Sequence, residues 1–153
     1  MNESGVFVLR RKLTIKSVDV LVAGGGIAGF SAAVAAARQG ARALLVEQFA
    51  VLGGQATTGG VAAFCGETSG QGEVFDRVVS ELTGLDAIAP YEPYERREAR
   101  AFDHEVLAIV LQEIALAEGV ELLLHTRVVD VECSKGLVSA VVLHGPSGLE
   151  AVE

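Results

Sequence analysis

Apolar residues along this chain fall first into two unbroken runs, and a periodic stretch lies between them. Val18 to Ala23 is continuous and rich in β-branched residues, the pattern of a strand buried on both faces of a parallel sheet. Ala41 to Glu47 predicts a second strand of the same kind. Between them, Ile27 to Gln39 predicts a helix with Ile27, Phe30, Val34 and Ala37 on one stripe. Gly40 is placed to end it in the left-handed conformation. The three pieces make a βαβ unit, which is right-handed by strong default.

The pattern then changes several times. Gln48 to Gly72 is rich in Gly and Thr with little periodicity, and a loop this long in a compact domain is usually functional. Glu73 to Thr83 predicts a helix with Val74, Val78 and Leu82 in register. Leu85 to Ala101, with Pro90, Pro93, Tyr91, Tyr94 and the charged run Glu95 to Arg100, reads as an excursion or lid. Asp103 is a suitable cap for a helix running to Glu118, ended by Gly119. Val120 to His125 predicts a third parallel strand. From Arg127 on, Val129, Val131 and Cys133 alternate with Asp130, Glu132 and Ser134, a half-exposed strand. Turns at Lys135-Gly136 and Gly145 to Gly148 extend it into an antiparallel meander. The expected fold is α/β: a Rossmann-like parallel sheet with an appended meander over 18–153, preceded by an extension over 1–17 in which Val6 to Leu9 suits an edge strand.

Composition narrows the function classes. The net charge is −8, and the basic residues are scattered apart from Arg10, Arg11, Lys12 and Lys16, which argues against a nucleic-acid partner. The two cysteines, Cys65 and Cys133, form no metal spacing, and the reducing cytosol is the simplest compartment. The basic opening before the apolar run of 18–37 resembles a signal peptide or a membrane span. Asp19 and the glycines inside the run stand against that, since Gly costs about 1 kcal/mol against Ala in a helix interior.

The chemistry sits in Gly24-Gly25-Gly26-Ile27-Ala28-Gly29, a G-x-G-x-x-G between a strand and a helix. Gly24 permits the tight turn, Gly26 lets a pyrophosphate approach the backbone, and Gly29 lets the helix pack on the strands. The helix N-terminus offers unpaired N–H groups to phosphates. Glu47 ends the second strand at the roughly 20-residue offset of the acid that binds ribose hydroxyls, and a carboxylate there disfavours NADP. The fingerprint alone does not separate FAD from NAD, because both carry ADP.

Asp19 to Glu47, followed by Leu52-Gly53-Gly54-Gln55-Ala56-Thr57-Thr58-Gly59-Gly60, resembles the FAD-dependent oxidoreductase family of the glutathione-reductase-like, two-dinucleotide-fold flavoproteins. Phe102-Asp103 and the stretch Gly119 to Val131 match the same branch. The resemblance implies FAD as cofactor and a small-molecule substrate. By position, it implies a pyrophosphate held by the backbone of Gly26, Ile27, Ala28 and Gly29. It implies a ribose on Glu47 with Gln48 beside it, a flavin path lined by Gly54, Gln55 and Thr57, and an adenine against the backbone of Val128. Relatives of that family continue past this length with another parallel strand and a second flavin-contacting segment. The chain is therefore expected to be the N-terminal FAD-binding part only, with the Val18 strand open on one edge, and to self-associate, take a complementing chain or cover that edge with residues 1–17. The redox cysteine pair of the disulfide reductases is missing after the second strand, which speaks against thiol–disulfide chemistry.

Other residues read as structural. Cys65 is expected to be a buried, inert thiol. His104, His125 and His144 are too dispersed for a metal site, and Ser69, Asp103 and His104 have no triad spacing. Arg96, Arg97 and Arg100 suit a solvated face, with an anionic substrate as the alternative. Two rival functions remain open at this point: a non-catalytic remnant with weak or no dinucleotide binding, and an NAD-binding Rossmann module of a dehydrogenase.

Overall fold

The computed structural model describes residues 12–13, 15–66, 68, 70–90 and 99–153. The apolar run of 18–37 folds as strand β2 (Val20–Ala23), a glycine turn and helix α1 (Ile27–Arg38). It is not a single span, and among the described residues no helix is long and apolar enough to cross a membrane. Strand β1 (Ile15–Lys16) precedes it, and β3 (Ala43–Val46) follows α1. Further along come β4 (Ala63–Cys65), α2 (Glu73–Gly84), β5 (Ala99–Ala101), α3 (His104–Ala117) and β6 (Glu121–Leu123). The meander is β7 (Arg127–Ser134), β8 (Leu137–Gly145) and β9 (Gly148–Val152).

Strands β2, β3 and β6 form a parallel sheet in that order, with Leu21 beside Leu44 and Leu45 beside Leu122. Residues in β3 alternate between two cores, as the period of a strand requires. Leu45 enters a helix-side core with Phe30, Val34, Leu82, Leu107, Leu111 and Ile114. Leu44 and Val46 enter a second core with Leu143 and Val152 of the meander. The molecule is thus three layers: helices, parallel sheet, meander.

Local chemistry explains where the helices stop and start. Gly40 has φ +85°, and behind it Gly40 N–H donates to Ala37 O at 2.8 Å and Ala41 N–H to Ala36 O at 3.2 Å. These are the paired bonds that satisfy the last carbonyls of a helix. The same pair recurs at the end of α3, from Gly119 to Leu116 O and from Val120 to Ala115 O. Asp103 opens α3 by accepting from Glu105 N–H at 2.9 Å and Val106 N–H at 3.1 Å. Near its end, Glu118 accepts from Arg38 at 2.8 Å and also from Arg77, tying the three helices together. Arg38, and Arg77 behind it, hold the Glu118 carboxyl below its usual range.

Several expectations are corrected. Strand β2 is only half-buried, and Ala23 is exposed, because among the described residues β2 pairs with β3 alone and forms an edge. Leu124 and His125 belong to a turn rather than to the third strand, with His125 at φ +52°. The 48–72 region is not featureless. It holds a 3-10 turn at Gly54–Ala56 and strand β4, which pairs antiparallel with β5. Its thiol, Cys65, is exposed rather than buried, since it ends a two-stranded ribbon. In β7 the alternation buries no face: Val129, Val131 and Cys133 are all exposed. Register shifts between Val128 and Asp130 and between Glu132 and Cys133 break the pleat there, and the outer part of the meander extends past the core. Lys135 and Gly136, at φ +52° and +80°, close its first hairpin in the primed geometry that two-residue loops favour.

The described part of the extension pairs with β9, in parallel, through Ile15–Ala151 and Lys16–Val152, and not with the open edge of β2. The Val6 to Leu9 strand, Arg10 and Arg11, Ser69, and Tyr91 to Glu98 with Arg96 and Arg97 lie outside the described residues. Arg100 is described: its side chain donates to Ala89 O at 3.0 Å.

Candidate dinucleotide site

The site is built where β2 and β3 end. Gly24 takes φ +105°, a conformation that L side chains rarely adopt, and its N–H donates to Val46 O at 2.8 Å. The chain can therefore leave β2 and enter α1 within three residues. Gly29 sits where a Cβ would lie 1.9 Å from Gly24 O and 3.3 Å from Val22 Cγ1. Only a glycine brings the helix this close to the strand. Gly26 differs: it caps α1 with no side-chain bond, and a Cβ there would meet nothing within 4 Å. Its face is open space in front of the free N–H groups of the first helical turn.

Glu47 lies at the end of β3 and is 5% exposed. A buried carboxylate needs donors, and it has two. Gly25 N–H donates to Oε2 at 2.6 Å, and Phe49 N–H donates to Oε1 at 2.8 Å. One lone pair of each oxygen is thereby used and another is left. The carboxylate also lines a cavity of about 150 Å³, together with Gly24, Gln48 and Val128. Four residues from three separate parts of the sequence thus meet at one cleft over the carboxyl ends of β2 and β3, where open α/β sheets bind ligands.

A second glycine segment buttresses the first. Gly53 N–H donates to Gly25 O at 2.8 Å, and Gly53 bridges Gly26 in parallel. A Cβ on Gly54 would stand 3.1 Å from Gly26 Cα, so the two backbones touch. Thr57 is buried, and its hydroxyl donates to Leu52 O at 2.7 Å. Gln55 is exposed beside it. Gly54 therefore lies against Gly26, with Gln55 and Thr57 on the same turn, while Ile27 and Ala28 begin α1. The remaining candidates are scattered: His104 lies at the start of α3, and His125 and His144 are exposed elsewhere.

Sequence reasoning assigned no task to Gly25, yet a Cβ there would fall 2.6 Å from Leu52 Cδ2 and 3.1 Å from the Glu47 Oε2 atom. It also missed Ala23, Val46, Thr126 and Arg127, which complete the cavity wall. The tight Gly-Gly-Gly run was the available signal for Gly25. Nothing in the pattern marked Arg127, since its place depends on the turn at His125.

A parallel sheet with this glycine turn, helix and strand-end acid defines a dinucleotide-binding α/β protein. The chain belongs to the FAD dependent oxidoreductase family, whose model matches residues 19–153. FAD is the cofactor of that family, and the open Gly26 face and the Glu47 cleft fit its ADP half. No curated protein matches the chain. Among solved structures, it is similar to a geranylgeranyl bacteriochlorophyll reductase-like protein of Thermoplasma acidophilum, at TM-score 0.65 and 18% identity, covering 91% of this chain and 38% of the other. The anhydrotetracycline hydroxylase OxyS of Streptomyces rimosus follows at TM-score 0.64 and 21% identity, with 90% and 30% covered. The p-nitrophenol 4-monooxygenase PnpA of Pseudomonas putida gives TM-score 0.64 at 14% identity, with 92% and 39% covered. The chain thus spans well under half of each of these neighbours, and at these identities the likeness is one of fold.

Proposed function

We propose that this chain is the FAD-binding domain, residues 18–153, of a flavin-dependent oxidoreductase acting on a small molecule. The observation that carries the reading is the buried Glu47 carboxylate, held by Gly25 and Phe49 and opening onto the same cleft as Gly24, Gln48 and Val128. In this assignment the backbone of Gly26, Ile27, Ala28 and Gly29 receives the pyrophosphate at the N-terminus of α1. The free lone pairs of Glu47 accept the adenosine ribose hydroxyls, with Gln48 beside them. The backbone of Val128 meets the adenine. Gly54 and Gln55 line the way toward the flavin, and Thr57 fixes that turn through Leu52 O. When bound, the flavin supplies the hydride chemistry, and the protein's part is to place it. The two free cysteines suit a reducing cytosol.

Among the described residues β2 has an open edge, which bears on partners. Unpaired N–H and C=O groups on an apolar edge are a template for another strand, and an apolar trough of about 450 Å³ lies beside it, lined by Val18, Leu21, Val131, Val138 and Val152. Self-association or a complementing chain at this edge is part of the proposal, and sedimentation at several concentrations checks it: a concentration-independent monomer with β2 open contradicts it. The function itself is tested by flavin absorbance in the purified protein and by titration with FAD, FMN and ADP. FAD and ADP bind and compete, whereas FMN, which lacks the ADP half, does not displace ADP. Failure of ADP to bind overturns the assignment.

A further inference from the structure

Resting on that dinucleotide reading, we infer that Arg127 is an adenine-positioning residue, a guanidinium plane that closes over the base at the mouth of the Glu47 cleft. Arg127 opens β7 and lines the same cavity as Glu47, Gln48 and Val128. Every other arginine among the described residues has a partner. Arg38 pairs with Glu118, Arg42 with Asp19, and Arg77 with Glu118 and Glu81, while Arg100 donates to Ala89 O. Arg127 is exposed and has no ion pair or side-chain hydrogen bond with the described residues. Its cross-strand neighbour is His144, which offers no anion. The carboxylate closest in the cleft is Glu47, and both of its oxygens are already held by backbone N–H groups.

A lone arginine at the rim of a cleft is available for a ligand, and the cleft decides which part of one. Ala23, Val46 and Val128 give it an apolar wall suited to one face of a flat heterocycle. Guanidinium is planar and weakly hydrated, and it stacks on aromatic faces and on bases. The alternative use of such an arginine is to take a ribose 2′-phosphate. A buried anion in the same cavity opposes that: the Glu47 carboxylate repels a phosphate and leaves a neutral base unaffected. The arrangement therefore favours a neutral base lying along the Val128 backbone, with the Arg127 guanidinium over its exposed face.

Calorimetric titration of wild type, Arg127→Ala and Arg127→Lys with ADP, 2′-phospho-ADP, inorganic pyrophosphate and FMN tests this. Both variants should bind ADP more weakly by roughly three- to tenfold, as expected for a base that loses one stacking partner at an exposed site. Lysine should not rescue, because it keeps the charge and loses the plane. Pyrophosphate and FMN affinities and the thermal midpoint should stay put, which a merely structural role would not give. Wild-type ADP binding that is unchanged in Arg127→Ala overturns the role of Arg127 and leaves the dinucleotide reading intact. Rescue by lysine, or a wild-type preference for 2′-phospho-ADP that Arg127→Ala abolishes, overturns it in favour of a charge contact. A wild type that binds no ADP removes the dinucleotide reading and Arg127's role with it.

Discussion

Two glycine-rich segments lie against each other in this molecule, and they use the missing side chain for opposite ends. In the turn Gly24 to Gly29, the central glycine faces open space, and a Cβ on Gly26 would touch nothing within 4 Å. In the segment Gly53 to Gly60 the room at Gly53 and Gly59 is already taken. A Cβ on Gly53 would stand 2.4 Å from Thr57 Cγ2, and one on Gly59 2.4 Å from Gln55 Oε1. While Gly25 and Gly29 are glycines because neighbours crowd them, at Gly26 the first segment withholds atoms so that backbone N–H groups face outward. The second withholds them so that its own Thr and Gln side chains can fold back and brace the turn from behind. Glycine content alone therefore does not mark a binding loop, and neither does empty space, which Gly40, Gly119 and Gly136 also face; what sets Gly26 apart is the helix N-terminus behind its open face.

That contrast can be broken at several points. The largest effect on the fold is expected at Gly29, where a side chain collides with the Gly24 carbonyl. Gly29→Val should cost at least the roughly 1–3 kcal/mol typical of overpacking, visible as a large drop in the denaturation midpoint. Gly53→Ala comes next, because Thr57 must leave Leu52 O to make room. A loss of about 1–3 kcal/mol is expected in urea unfolding, with weaker FAD binding as a consequence. Glu47→Gln should weaken ADP and FAD by roughly 1–3 kcal/mol through loss of charge-assisted hydrogen bonds. The amide also turns a donor toward Gly25 or Phe49 N–H, so a modest loss of stability should accompany the loss of affinity. Competition by 2′-phosphorylated nucleotides should improve, and its absence would count against the ribose role.

The smallest effect lies away from both segments. Arg42 hydrogen-bonds Asp19 and holds its carboxyl at about 2, below the usual 3.8. The folded value is the lower one, so the contribution is present above the unfolded pKa near 3.8 and fades as pH falls through about 2. NMR titration of the Asp19 carboxyl should show a midpoint near 2, moving up toward the ordinary value in Arg42→Ala. Both groups are largely exposed, so little change in stability at neutral pH is expected.

Much of this was legible because local chemistry and tertiary demand agree. The run Ala41 to Glu47, the stripe through Phe30 and Val34, and the Asp103 cap each specify their element without help from distant residues. The glycine turn and Glu47 were legible for the same reason: strand, turn, helix and acid follow one another within a single βαβ unit. What the sequence hid depends on contacts made far along the chain. The half-burial of β2 follows from which strands flank it, not from Val20 to Ala23 themselves. The exposure of Cys65 follows from the pairing of β4 with β5, some 35 residues on. The role of Gly25 depends on the Glu47 carboxylate folding back onto it, and Arg127 reaches the cleft only because the chain turns at His125.

The central claim, that the open face of Gly26 is where a pyrophosphate meets the backbone, is tested most directly by ADP calorimetry on Gly26→Val beside the wild type. A valine there meets no protein atom at its Cβ, so the thermal midpoint should change little, while its side chain fills the space of the pyrophosphate. The account predicts a folded variant with no detectable ADP or FAD binding. A folded Gly26→Val that binds ADP as tightly as the wild type would contradict it.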